Sequence, residues 1–158
     1  MTSTGKIELM APAGNFESLQ AALDNGCDSV YFGVEQLNMR ARASINFVLE
    51  DLPEIARRCQ EKNVRTYLTL NTIVYDHDLS IVKTLLNKAK EANITAVIAS
   101  DQAVIMTARS IGMEIHISTQ VNVTNIETVK FYAMFADTIV LSRELIAEAA
   151  GSFIGDFA

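Results

Sequence analysis

The chain is poor in the residues that build metal and redox sites. Its 158 residues include two cysteines, Cys27 and Cys59, which are far apart and belong to no CxxC pair or closely spaced Cys/His set. No metal-ligand spacing is present, and both read as small buried apolar residues. No apolar run approaches the roughly 20 residues that span a bilayer. The start, MTSTGKIELMAPAG, lacks the charged, apolar and small-residue regions of a signal peptide, so no membrane span and a cytoplasmic location are expected. Positive charge is scarce: a net charge of -6 argues against non-specific capture of polyanions, while leaving room for a local basic pocket. Glycine-rich phosphate loops are missing too. The first β-prone run is followed by APAGN, with one glycine and no GxGxxG, which argues against a dinucleotide-binding sheet. There is no GxSxG elbow, no HExxH and no Cys/His constellation, so no standard hydrolytic machinery is displayed.

What the chain does have is a globular composition, 49% hydrophobic and 20% charged, and a length suited to one domain over residues 1–158. It also repeats an architecture. β-prone runs occur at Ile7–Met10, Ser29–Gly33, Arg65–Leu70, Ala96–Ala99, Glu114–Ser118 and Thr138–Leu141, each followed by a helical segment. Helix periodicity is carried by Phe16, Leu19, Ala22 and Leu23, by Leu52, Ile55, Ala56 and Cys59, and by Leu79, Val82, Leu85, Leu86 and Ala89. Asn25-Gly26, Asn63, Asn93 and Gly112 stand where left-handed residues close helices, and Asp101 stands where a side chain caps one. Alternating strands and helices imply a parallel sheet, either wound open or closed as a barrel.

Two features favour the barrel: the missing glycine fingerprint, and polar residues at five of the six strand exits. The exits carry Glu35, Asn71, Ser100 with Asp101, Ser118 with Gln120, and Ser142 with Arg143. In a (β/α) barrel that rim is where ligand-binding groups converge. The expected fold is α/β, a parallel TIM-barrel-like (β/α) domain with six of eight units present, since a full barrel takes roughly 200 residues or more. Six units leave two open strand edges. The expected cover is a missing C-terminal segment or a homo-oligomer, and the ending AEAAGSFIGDFA, with Phe153, Ile154 and Phe157, suits an apolar tail awaiting a partner.

IELMAPAGN, GCDSVYFGVEQLNMRARASINF, TLNT, ASDQAV, EIHISTQVNVTN and VLSREL, in order from about Ile7 to Leu145, resemble the N-terminal part of the collagenase-like peptidase family U32. The resemblance implies a TIM-barrel-like core and two kinds of activity. One is peptide hydrolysis. The other is oxygen-independent hydroxylation of tRNA or ribosomal RNA, or of a ubiquinone precursor, by relatives that carry an iron–sulfur cluster and for which prephenate is implicated as an oxygen source. The cluster cysteines of those relatives lie beyond the matched region, so no cofactor is expected within this chain and any iron–sulfur cluster belongs to a longer protein. After VLSREL the family continues with a His-Gly-Ala-type motif and a cysteine, whereas this chain reads IAEAAGSFIGDFA. The 158 residues alone are therefore expected to be inactive and the longer protein an enzyme acting on a peptide, RNA or small-molecule substrate, with a non-catalytic scaffold fragment as the remaining alternative.

The candidate substrate-binding residues are Glu35, Asn38, Arg40, Arg42, Asn71, Asp101, Gln120, Asn122 and Arg143. In VEQLNMRARASINF, Asn38, Arg40, Arg42 and Asn46 sit in a loop too long for a simple turn, and guanidinium groups at a barrel mouth suit a carboxylate or phosphate. The alternative is a solvated loop whose arginines pair with Glu35 or Glu50. Gln120 and Asn122 suit a planar polar ligand, or else satisfy loop backbone. The catalytic candidates are His116, a general base near the rim or a hydrogen-bonded core histidine orienting Gln120 or Asn71, and Ser118, a nucleophile only with a base in reach. Ser142 carries the same condition. His77 between Asp76 and Asp78 reads as a helix-capping turn. Strand alternation points Glu114, His116 and Ser118 inward and Ile115 and Ile117 toward the helices.

Overall fold

Six short runs form strands: β1 (Met10–Pro12), β2 (Ser29–Phe32), β3 (Arg65–Leu70), β4 (Ala96–Ala99), β5 (Glu114–Ile117) and β6 (Thr138–Ile139). The computed structural model describes residues 7–34 and 47–145. Within them the strands form one parallel sheet in the order β1-β2-β3-β4-β5-β6, a half-barrel with helices between successive strands. These are α1 (Phe16–Asp24), α2 (Leu52–Glu61), α3 (Leu79–Glu91), α4 (Gln102–Ser110) and α5 (Ile126–Ala133). The helix expected after β6, the loop carrying Glu35, Asn38, Arg40, Arg42 and Asn46, and the ending with Phe153, Ile154 and Phe157 lie outside the described residues.

The first strand corrects the sequence reading. It occupies Met10–Pro12 rather than Ile7–Met10. Among the described residues β1 pairs with β2 alone, and an edge strand accepts a proline because the missing N–H is not needed on its outer side. Leu9 is held beside the sheet by a side chain, its N–H donating to the Asp28 carboxylate at 2.9 Å. β6 is also shorter than expected, because the chain leaves the ladder to donate from Ser142 N–H to Val123 O at 2.9 Å.

The core lies between the sheet and the helices. Val30, Phe32, Leu68, Leu70, Val97, Ala99, Ile115 and Ile117 from the strands meet Leu19, Leu52, Ile55, Leu86 and Val104 from the helices, all buried. Each of these side chains larger than alanine contributes about 1.5–3 kcal/mol on burial. Helix ends follow the cap chemistry. Asn15 and Ser18 form a capping box on α1, and the Asp101 carboxylate accepts Ala103 N–H at 2.8 Å at the start of α4. Gly26, Asn63, Asn93 and Gly112 take positive φ just after α1 to α4. Two lysine or arginine side chains also reach from one helix to the C-terminal end of the next: Lys90 donates to Gly112 O at 2.6 Å and Arg109 to Met134 O at 2.9 Å. These contacts lock successive units in order along the half-barrel.

Candidate functional site

Alternation leaves Arg65, Tyr67, Thr69 and Asn71 on the inner face of β3 and its exit, and Glu114, His116 and Ser118 on that of β5. Between these strands the register aligns Tyr67 with Ala96 and Ala96 with Glu114. Ala96 contributes only a methyl group, so side chains from β3 and β5 meet across β4. At the N-terminal end of the strands they form a polar network. The Glu114 carboxylate accepts from Arg65 at 2.6 Å and pairs with His116 Nε2 at 2.8 Å. The Tyr67 hydroxyl donates to Glu8 at 2.5 Å, Arg65 approaches Glu8 at 3.4 Å, and the Tyr67 and His116 rings lie 4.6 Å apart. Burial and the bond to Glu8 push the Tyr67 phenol up. Burial also works to raise the Glu8 carboxyl, but the Ser29 and Tyr67 hydroxyls and the Arg65 and His116 charges outweigh it and leave it lowered.

Above this network the inner face opens into a cavity of about 420 Å³ lined by Met10, Ala13, Gly14, Tyr31, Phe32, Gly33, Thr69, Asn71, Ile98, Ser118, Thr119, Gln120, Val140 and Arg143. It lies at the strands' C-terminal ends, the rim that the sequence assigned to ligand binding. Thr69 Oγ1 and Asn71 Oδ1 are buried here with no hydrogen-bond partner. Asn71 Nδ2 donates to Ser118 Oγ at 3.5 Å, and Gln120 N–H donates to the same oxygen at 3.3 Å. Ser118 is 2% exposed.

The structure brings Asn71, Ser118, Gln120 and Arg143 together around this cavity and leaves the other described candidates outside its lining. Asp101 caps α4. Asn122 takes a left-handed conformation that closes the 3-10 turn Thr119–Val121. His116, 6% exposed, sits one alternation below Ser118 and is bound to Glu114 rather than to Gln120 or Asn71. No hydrogen bond joins it to Ser118 among the described residues, so the pair is not arranged as nucleophile and base. Ser142 donates to Glu144, and that bond holds the Glu144 carboxyl below its usual range, which makes it a weak base. His77 lies in the 3-10 turn Asp76–Asp78 that precedes α3. Tyr31 and Thr69 were not singled out by sequence. Thr69 was legible as the residue between Tyr67 and Asn71 in the inward series of β3.

The chemistry of the thiols bears on an iron–sulfur cluster. Cys27 and Cys59 are buried free cysteines in the core, and burial, with Cys27 nearby, pushes the Cys59 thiol up to about 12. Iron in such clusters is held by thiolates. Among the described residues no three His, Cys, Asp or Glu groups gather to hold a metal ion, and these two cysteines do not fit as cluster ligands. No helix among the described residues is long and apolar enough to cross a membrane.

Known proteins match this fold and this sequence. Peptidase family U32 matches residues 14–151. A collagenase of Porphyromonas gingivalis is 53% identical over 138 residues, covering 87% of this chain and 33% of the relative. The tRNA hydroxylation protein P1 of Bacillus subtilis is 32% identical over 147 residues, covering 91% and 35%. The solved structure of the U32 peptidase Mk0906 superposes with a TM-score of 0.77 at 12% identity, covering 100% of this chain and 68% of that one. The chain spans about a third of the length of these two sequence relatives.

Proposed function

The chain belongs to peptidase family U32, and from that premise we propose that its strand-end cavity binds an amide-bearing segment of polypeptide within a collagenase-like protein. The observation that supports this is the pair of buried, unpartnered oxygens, Thr69 Oγ1 and Asn71 Oδ1, beside the cavity. A buried polar group left unpaired costs about 1–3 kcal/mol, and a ligand that pairs with it removes that cost. Asn71 Oδ1 accepts only, so it calls for an N–H. Gln120 and Arg143, on the same lining, carry side-chain donors for a carbonyl. A donor and an acceptor side by side are what a peptide group presents.

The role of these residues is binding and orientation. Ser118 already accepts from Asn71 and Gln120, no base among the described residues is bonded to it, and His116 is engaged with Glu114. Bond cleavage then draws its nucleophile and base from residues other than this described set. The test is gelatin cleavage by the intact protein, comparing wild type with Gln120→Ala and Arg143→Ala. A tenfold or larger fall in kcat/KM is expected for each. Unchanged cleavage in both would place the substrate elsewhere.

A second reading, RNA hydroxylation, is favoured by the similarity to the tRNA hydroxylation protein and, at 31% identity, to the 23S rRNA 5-hydroxycytidine C2501 synthase of Escherichia coli. A nucleobase edge also pairs a donor with an acceptor. Nucleoside mass spectrometry of RNA from cells lacking the gene separates the two. A lost hydroxylated nucleoside, with gelatin uncut by the purified protein, would favour this second reading.

A further inference from the structure

The stretch STQVNVTN, Ser118 to Asn125, leaves β5 at the cavity rim, and the cavity lining takes Ser118, Thr119 and Gln120 from it. The backbone from Ser118 to Val123 is held at both ends. At its start Ser118 Oγ accepts Gln120 N–H at 3.3 Å, and the Ser118 carbonyl accepts Val121 N–H at 3.1 Å. At its end Val123 is fully buried, and its carbonyl accepts Ser142 N–H at 2.9 Å. Ser142 precedes Arg143, so that bond also ties the turn to the segment supplying the other side-chain donor of the lining.

Between these anchors stands Asn122, at φ 54° and ψ 50°, its N–H donating to Thr119 O at 3.0 Å. The other described residues with positive φ, Gly26, Asn63, Asn93 and Gly112, each stand two residues after a helix, where this conformation is an ordinary helix end. Asn122 follows a strand instead, at the opposite end of the half-barrel. Its side chain is exposed and lies outside the cavity lining, so what it brings to the rim is its backbone conformation. Glycine and asparagine visit the left-handed region most readily, and β-branched residues least.

We propose that Asn122 is a positioning residue: its left-handed backbone closes the turn that holds Gln120 on the cavity lining, so it acts on a ligand without touching it. The activity arm of the test rests on the polypeptide reading of this cavity, and the turn itself is tested without a ligand. A β-branched residue at position 122 favours extended backbone. That conformation gives up the bond to Thr119 O and moves Gln120 relative to Asn71 and Thr69.

The intact protein carrying Asn122→Val, Asn122→Gly, Gln120→Ala or Asn122→Val with Gln120→Ala is compared with wild type. In gelatin cleavage Asn122→Val is expected to raise KM about tenfold with kcat unchanged, because fewer molecules hold the turn in its binding form. Glycine at the same position should bring KM back to within about twofold of wild type, since it takes positive φ without strain. Added to Gln120→Ala, Asn122→Val should cost no more than about twofold further, the non-additivity of a residue that acts through another. Hydrogen exchange, read without substrate, should be about tenfold or more faster at the Gln120, Val121 and Ser142 N–H groups in Asn122→Val and unchanged in Asn122→Gly. Glycine as damaging as valine would mean that the Asn122 side chain itself meets the ligand, and full additivity with Gln120→Ala that Asn122 acts elsewhere. Either result overturns the proposal, as does exchange at wild-type rates in Asn122→Val. Gelatin left uncut by wild type overturns the polypeptide reading alone, and the exchange comparison then decides the role of Asn122.

Discussion

The two ends of the inner face of β3 and β5 are built from the same kinds of residue and solve opposite problems. At the N-terminal end Arg65, Tyr67, Glu114 and His116 are joined to one another and to Glu8. One alternation further on, Thr69 Oγ1 and Asn71 Oδ1 have no partner. Polar groups bonded to one another help hold a fold together, whereas buried ones without a partner carry a cost that a ligand can remove. In (β/α) barrels the same division runs between the N-terminal face and the C-terminal rim. Ser29 Oγ, buried at the N-terminal end of β2, lacks a partner too, so what sets the rim apart is that its two unpartnered oxygens lie beside a cavity.

The contrast is broken hardest at His116. His116→Ala removes a buried ring packed on Tyr67 and strips Glu114 of a partner, and it is expected to cost about 2–4 kcal/mol of stability, read as a lower urea midpoint. Activity per folded molecule should stay within a few-fold of wild type. A loss of a hundredfold or more with stability intact would make His116 a general base and collapse the distinction between the ends. Asn71→Ala should do the reverse: gelatin cleavage by the intact protein falls about ten- to a hundredfold while stability moves by less than about 1 kcal/mol, because the deleted acceptor was unpaired and the deleted donor made one long bond, 3.5 Å to Ser118. Thr69→Val sharpens the point further. Replacing an unpartnered hydroxyl by a methyl is expected to leave the urea midpoint unchanged or slightly raised, and to weaken substrate several-fold. A clear destabilisation would mean that Thr69 is satisfied within the fold and that the rim is not waiting for a ligand.

Which end was which is only partly legible in sequence. The strands β2 to β5 follow from alternation, and the helix ends from Gly26, Asn63, Asn93, Gly112 and Asp101, because these are local signals. Alternation also puts Glu114, His116 and Ser118 on one face. What it cannot supply is the register across β4, which brings Arg65 and Tyr67 of β3 to Glu114 and His116 of β5 past the small Ala96. Without that, a rim base stays open beside the reading of His116 as a hydrogen-bonded core histidine, and its partner cannot be named. Asp101 and Asn122 looked like rim ligands for a related reason. A residue type suited to recognition also suits capping and the left-handed region, and only the backbone decides. β1 was misplaced because Ile7, Leu9 and Met10 outweighed Pro12 as strand signals, although an edge strand tolerates proline.

The weakest expected effect concerns pH and belongs to the N-terminal end. The Glu8 carboxyl is lowered in the folded chain from an ordinary value of 4.5, with burial opposing the shift and the Ser29 and Tyr67 hydroxyls and Arg65 driving it. A depressed carboxyl contributes stability that is fully present above the unfolded value and is lost as pH falls through the folded one. Glu8→Gln should therefore lower the urea midpoint at neutral pH, with the gap to wild type narrowing only below pH 4.5. The gap should be small, because the Glu8 side chain is 37% exposed and water screens its pairing with Arg65. Equal midpoints at every pH would show that Glu8 is a spectator and that Tyr67, His116, Glu114 and Arg65 close the N-terminal end without it. A gap that widens on acidification would reverse the sign of the Glu8 shift, and the network would then be strained rather than satisfied.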